Sequence, residues 1–316
     1  MSAGPSQHVV AVGVFDGLHR GHRRIIDTGL ARAREAGVGL AVVTFDPHPD
    51  AVLGKSRAEL PLTPGREKKQ VLREWGVEQV VVLPFDREMA VLEPEVFVER
   101  HLLQGLGMVR LVTGQDFALG RGRRGNVPFL TALGERKGFA VESVPLLVEH
   151  HGPVSSTRVR GALRGGDVAF AAELLGRPYS LVGRVVRGHG LGTKLEFPTA
   201  NLDLLEPKFL PADGVYAAWV RLPGDSAAGA TGGPPGPGPD GAFRGALSLG
   251  LRPTFDGTDR ALEVFLLDWN KDLRDRVLQA NLVDWIRGQE KFDGPGPLVD
   301  AIRRDVEKVR EILVPA

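Results

Sequence analysis

The chain has 316 residues, with 40 basic against 39 acidic side chains, a formal net charge of +1 and no cysteine. That length is long for one domain and comfortable for two; balanced charge gives no whole-chain field for nucleic acid or a membrane surface, and the missing thiols exclude disulfides, thiolate nucleophiles and cysteine-based zinc sites. No apolar stretch reaches the ~18 residues of a transmembrane helix and no secretory leader is visible, so a reducing cytoplasm is the expected compartment.

Residues 9–12 are an apolar, β-branched run bounded by Gly13, the pattern of a fully buried strand. Gly13-Val14-Phe15-Asp16-Gly17-Leu18-His19-Arg20-Gly21-His22 follows. His19 and His22 stand three apart where a helix begins, so both imidazoles can face one side of its first turn. Ile25, Ile26, Leu30 and Ala33 mark the apolar face of that helix and Gly37 its end. A buried strand, a glycine turn and a helix N-terminus carrying two histidines predict a phosphate site, because the first N–H groups and the helix dipole favour anions there. Two surface histidines beside a common turn are the bland alternative; the combination of glycines, aspartate and histidines weighs against it.

A second buried strand over 40–45 ends in Thr44-Phe45-Asp46-Pro47-His48-Pro49, whose prolines hold Asp46 and His48 in an extended turn at the strand's carboxyl end. Ligands bind outside such ends in open α/β sheets. The pattern continues with a helix over 66–75, a strand over 77–85, a helix over 94–106 opened by Pro94 and a strand over 109–113. Strands that are continuously apolar and alternate with helices predict a parallel sheet covered on both faces. Gly120, Gly122 and Gly125 formally satisfy GxGxxG, but they stand six residues beyond the strand, so the dinucleotide reading is rejected. After a strand over 139–147, Ser155-Ser156-Thr157-Arg158-Val159-Arg160 opens another helix, and hydroxyls plus arginines at a helix start suit an anion. A further helix over 168–175 precedes a domain boundary at 178.

From 181 onward short alternating strands separated by glycine turns predict an antiparallel barrel. Gly188 and Lys194 lie in a glycine-rich loop that leads to Pro198-Thr199-Ala200-Asn201. The hydroxyl of Thr199 and the amide of Asn201 are oxygen donors of the kind a hard cation takes. Glu263 is the one carboxylate early in an apolar strand over 262–268, and a helix over 298–313 follows Arg287-Gly288-Gln289-Glu290-Lys291-Phe292. Residues 223–241 hold seven glycines and five prolines in nineteen positions, a flexible low-complexity insertion spanning about 222–242.

GVFDGLHRGH, TFDPHP, the GQDFALGRGRRGN segment, SSTRVR, PTAN and GLRPTF occur in one order, and together they resemble the bacterial bifunctional riboflavin kinase/FAD synthetases, which join an HxGH nucleotidyltransferase to a flavokinase. The resemblance implies a Rossmann-like α/β domain over 1–178 that adenylylates FMN and a β-barrel domain over 179–316 that phosphorylates riboflavin, with ATP, riboflavin, FMN and FAD as substrates and products and Mg²⁺ as cofactor. It makes His19, His22 and Arg158 catalytic in adenylyl transfer, and Gly13, Phe15, Asp16, Gly17, Ser156, Thr157 and Arg160 part of the nucleotide site, with Gly188 and Lys194 serving ATP in the second half. Asp46, His48, Asp116, Phe117, Asn126 and Arg287 would face flavin, Thr199 and Asn201 would hold Mg²⁺, and Glu263 would be the base. A monomer or weak homo-oligomer without nucleic-acid or membrane partners is expected. Leu191, Glu196, Ser248 and Arg274 depart from the family pattern, which opens two other readings: an FAD synthetase whose kinase half is weakened or serves a modified flavin, or a non-catalytic flavin-binding protein.

Overall fold

The computed structural model describes residues 7–54, 59–187, 197–222, 236, 238–254, 257–267, 269 and 271–315. Gly188, Leu191, Lys194, Glu196 and most of the 222–242 insertion therefore lie outside the described residues. The chain divides into two compact units, Met1–Ser156 and Thr157–Ala316.

In the first unit the order is β1 (His8–Val12), α1 (Arg20–Ala36), β2 (Gly39–Asp46), α2 (Pro49–Val52), α3 (Gly65–Glu74), β3 (Gln79–Pro84), α4 (Arg87–Val91) and α5 (Pro94–Phe97). There follow β4 (Met108–Gly114), β5 (Ala118–Leu119), β6 (Gly125–Asn126), α6 (Val127–Lys137), β7 (Ala140–Val144) and the short pair β8 (Val148–Glu149) and β9 (Gly152–Pro153). Five strands form one sheet in the order β3-β2-β1-β4-β7, with every pairing parallel. Alternation along β1 sorts its side chains onto two faces. Val10 and Val12 join Phe97, Leu102, Leu130 and Leu133 on one side, while Val9 and Ala11 join Ile26, Ala33, Val71 and Leu72 on the other. Burying each such branched side chain contributes about 1.5–3 kcal/mol, so helices are needed on both faces and the strand reads as continuously apolar.

Two elements differ from the sequence expectation. The helix expected over 94–106 is α-helical only through Phe97 and continues as a π-helix over Val98–Gln104, with Val98 and Leu102 buried. Residues 127–137 form a helix for which no expectation was set; Asn126 caps it by accepting from the Phe129 N–H at 3.1 Å.

The second unit begins with α7 (Ser156–Arg164, its first residue closing the first unit) and α8 (Val168–Leu175), then β10 (Tyr179–Val186), β11 (Ala200–Leu204), β12 (Gly214–Arg221), β13 (Phe243–Thr254), β14 (Gly257–Leu266), β15 (Val277–Gly288) and α9 (Pro295–Ile312). The six strands close into an antiparallel barrel in the order β10-β11-β14-β13-β12-β15. Alternate residues such as Leu202, Leu247, Leu249, Leu262, Val264, Leu278, Ala280 and Leu282 are buried, so the interior is filled by side chains. The opposite parity of two strands, Ala246 and Phe265, packs with Val306, Val309 and Leu313 at the α9 end of the chain. α7 and α8 also pack on this unit: the Ala212 N–H donates to Leu163 O at 2.8 Å, and Gly166 (φ 80°) lies against Trp285, whose ring a Cβ there would strike.

Candidate functional site

β1 ends at the point where the strand order reverses, with β2 on one side and β4 on the other, so the loop Gly13–His19 opens into the crevice where open α/β sheets take their ligands. The loop is backbone-strained: Phe15 (φ 49°), Gly17 (φ 83°) and Leu18 (φ 44°) are left-handed. A left-handed non-glycine residue costs about 1–2 kcal/mol, which the burial of Phe15 and Leu18 in the core offsets. Strain of this kind collects at functional sites because the packing around it fixes one geometry.

His19 is the N-cap of α1, and its Nδ1 accepts from the His22 backbone N–H at 3.3 Å. A neutral imidazole that accepts at Nδ1 carries its proton on Nε2, so His19 presents an N–H donor at the positive end of the helix. The His22 ring stacks on that of His19, centroids 3.6 Å apart and 18° from parallel, and meets the Phe15 edge at 5.2 Å. The two histidines thus form one rigid unit on the first turn.

Asp16 is buried and turned to backbone: its Oδ1 accepts from the Leu62 and Thr63 N–H groups at 2.9 and 3.4 Å, and its carbonyl accepts from Ser156 Oγ at 2.8 Å. Both residues hold the loop in shape. Val14 O accepts from Thr44 Oγ1 at 2.9 Å and from Lys68 Nζ at 2.8 Å. Lys68 was missed in the sequence, although a signal existed: with Val71 and Leu72 at i+3 and i+4 it lies on the buried stripe of α3.

Around this loop, Asp46 ends β2 and His48 follows it, with His48 Nδ1 accepting from the Asp50 N–H at 3.1 Å and opening α2. Asp116 follows β4 in a turn closed by Phe117 N–H to Gly114 O at 3.1 Å, which places it at the same sheet end as His19. Phe117 packs against the core beside Leu119 and Leu130, and Asn126 is the helix cap described above. The loop arginines have partners in the protein: Arg123 donates to Asp116 O at 3.0 Å within the loop, and Arg121 and Arg124 lie 3.8 and 3.6 Å from Glu93, just before α5.

Within the second unit, Thr157 lies in the first turn of α7 and the arginines of SSTRVR rest on aromatic rings, Arg158 over Phe170 at 5.4 Å and Arg160 over Phe209 at 5.6 Å.

The barrel brings a second group together. Asn201 on β11 pairs with Glu263 on β14, and Glu263 pairs on its other side with Ser248 on β13. Directly opposed residues share a face, and this is the outer face that carries Ala246 and Phe265. Thr199 Oγ1 donates to Glu263 Oε2 at 3.2 Å, and Phe197, at the start of the segment, packs on Phe265 at 5.4 Å. Gln289 reaches the cluster from beyond β15, donating to Ser248 Oγ at 3.2 Å and Leu249 O at 2.9 Å. Among the described residues no group of three His, Asp or Glu side chains is placed to hold a metal; the donor set here is hydroxyl, amide and one carboxylate. Arg287 forks onto the buried Asp305 of α9, with contacts of 2.7, 2.9 and 3.1 Å, and Arg274 pairs with Asp272.

A family model for FAD synthetase matches residues 2–158 and one for riboflavin kinase matches residues 175–313. The chain is 36% identical over 309 residues to the bifunctional riboflavin kinase/FMN adenylyltransferase of Pseudomonas fluorescens, covering 98% of this chain and 94% of that one. It is equally 36% identical to the enzyme of the same name from Escherichia coli K12, covering 96% and 92%. A crystal structure described as a macrolide-efflux protein from Streptococcus pneumoniae superposes with a TM-score of 0.86 at 30% identity, covering 98% and 95%. Among the described residues no helix is long and apolar enough to cross a membrane.

Proposed function

The chain belongs to the bifunctional riboflavin kinase/FMN adenylyltransferases, enzymes that make FMN from riboflavin and FAD from FMN, and we propose how its residues divide those two steps. The N-terminal unit transfers AMP from ATP to FMN with release of pyrophosphate. The barrel transfers the γ-phosphoryl of ATP to the ribityl 5′-hydroxyl of riboflavin. The observation that carries this division is the pair of separate constellations, the capped histidine stack at the sheet's switch point and the Thr199–Glu263–Asn201 cluster on the barrel.

Adenylyl transfer needs the FMN phosphate in line with the α-phosphorus and no covalent protein nucleophile, so positioning and charge stabilisation carry it. The Nε2–H of His19 and the first N–H groups of α1 are the donors this reading assigns to the phosphates. By the SSTRVR pattern, Ser156 and Thr157 assist the nucleotide, and Arg158 and Arg160 neutralise the leaving pyrophosphate. Gly13, Phe15, Asp16 and Gly17 act by shaping the loop, while Asp46, His48 and Asp116 serve the flavin side.

In the barrel, Glu263 takes the proton from the attacking hydroxyl, and the Thr199 hydroxyl orients its carboxylate. An all-oxygen set of hydroxyl and amide fits a hard cation, so Thr199 and Asn201 are the residues that would hold Mg²⁺. Bound there with ATP, the ion would neutralise phosphate charge. Ser248 beside Glu263, where the family pattern has asparagine, favours one second reading, an FAD synthetase with a weakened kinase.

The test is chromatographic product analysis after incubating pure protein with Mg-ATP and either riboflavin or FMN. FAD from both, with FMN as intermediate, is the expected result. FAD from FMN alone selects the second reading, and no product from either substrate overturns both.

A further inference from the structure

This inference rests on the reading that the first unit adenylylates FMN. α3 buries Lys68 together with Val71 and Leu72, and a lysine on the apolar stripe of a helix is out of pattern, since its ammonium group is strongly hydrated. Lys68 is only 8% exposed. Its Nζ donates to Val14 O at 2.8 Å and to Thr44 Oγ1 at 3.4 Å, while Thr44 Oγ1 donates to the same Val14 carbonyl at 2.9 Å. One side chain thus ties the backbone after β1 to the end of β2. Burial pushes its pKa down, and the carboxylates of Asp16 and Asp46, one from each of those segments, oppose that shift. The Val14 carbonyl is the last before the chain turns left-handed at Phe15, whose ring abuts His22, which in turn stacks on His19.

We propose that Lys68 is a positioning residue for adenylyl transfer, fixing the Val14 carbonyl and through Phe15 the attitude of the His19–His22 pair. An aliphatic side chain of similar length would fill the same space without holding that carbonyl. A lysine at this buried position holds the loop from beneath through the Val14 carbonyl.

Full-length Lys68→Met and Lys68→Arg proteins test this, with riboflavin phosphorylation by the same molecules as the control in the other unit and with rates normalised to ATP-binding sites counted by titration. Lys68→Met is expected to lower kcat for FAD formation roughly 30-fold, with KM for FMN and ATP changed less than about threefold, the signature of misplaced but intact groups. Lys68→Arg, which keeps a charged donor, is expected to recover most of that loss. If Lys68→Met fails to fold, Thr44→Val removes the bridging hydroxyl at constant shape and is expected to lower kcat about fivefold. Wild-type FAD formation with an unimpaired Lys68→Met or, in its place, Thr44→Val overturns the proposal alone, as does a loss that arginine does not recover and that follows only the number of binding sites. Wild-type protein that makes FMN but no FAD overturns the parent assignment and this one with it.

Discussion

The cap at the start of α1 lets two roles of one imidazole be separated. His19 accepts the His22 N–H at Nδ1 and so keeps Nε2–H as a donor. His19→Asn retains a side-chain acceptor at the cap position, asparagine being among the best caps, but removes the donor; His19→Ala removes both. Losing the cap costs about 1 kcal/mol of stability. Losing a donor to the transferring phosphoryl group costs about 3 kcal/mol of transition-state stabilisation, which is roughly 100-fold in rate. Both variants are therefore expected to make FAD from FMN about 100-fold more slowly than wild type, while only His19→Ala shows the further fall in urea midpoint that loss of the cap brings. Phosphorylation of riboflavin by the same preparations should be unchanged. FAD formation by His19→Asn within threefold of wild type would refute the reasoning, because it would leave the Nε2 donor with no part in the reaction.

Three further outcomes follow from other contacts. Glu263→Gln keeps a partner for Thr199 but removes the base, and should lower riboflavin phosphorylation by about 10²–10⁴-fold while FMN adenylylation persists; equal loss of both activities would contradict it. Arg287→Met leaves the Asp305 carboxylate buried without its fork, and should destabilise the barrel by about 3–5 kcal/mol in urea unfolding. Glu142 on β7 receives Arg32 from α1 at 2.7 and 3.0 Å and Arg110 from β4 at 3.2 Å, and chiefly the Arg32 hydrogen bonds hold its carboxyl below the usual carboxylate range. Its stabilising contribution, ~1 kcal/mol or less for such a pair, is full above about pH 5 and is lost as pH falls through the depressed folded value, so the melting difference between Glu142→Gln and wild type should vanish in acid.

Much of this architecture was legible because it is local. The run before Gly13, the apolar stripe of α1 and the alternation after 181 each carry their own period, and β1, α1 and the barrel strands lie where those periods place them. Less legible was everything that depends on distant partners. The segment after Pro94 reads as an ordinary helix, yet it continues in π geometry with Val98 and Leu102 in the core. Asp16, Asn126 and Arg287 carry the residue types of ligand contacts, and their side-chain atoms also bond the 62–63 backbone, the first turn of α6 and Asp305, contacts that spacing alone does not mark. Lys68 was missed although its spacing to Val71 and Leu72 signals burial, and the carbonyl it serves leaves no such signal.

The contrast between the two sheets also bears on how copies of the chain meet when they associate wrongly. The barrel is closed, so among the described residues each strand of the second unit has a neighbour on both sides, although β14 meets β11 only at residues 263 and 264. The parallel sheet ends openly on β3 and β7. The β3 edge runs Gln79-Val80-Val81-Val82-Leu83-Pro84, where only the final proline lacks a donor, whereas β7 carries Glu142 and its two arginines. Aggregation by strand pairing on heating or during synthesis is therefore expected to start at β3, and a charged residue placed there is the first change to make for a better-behaved preparation.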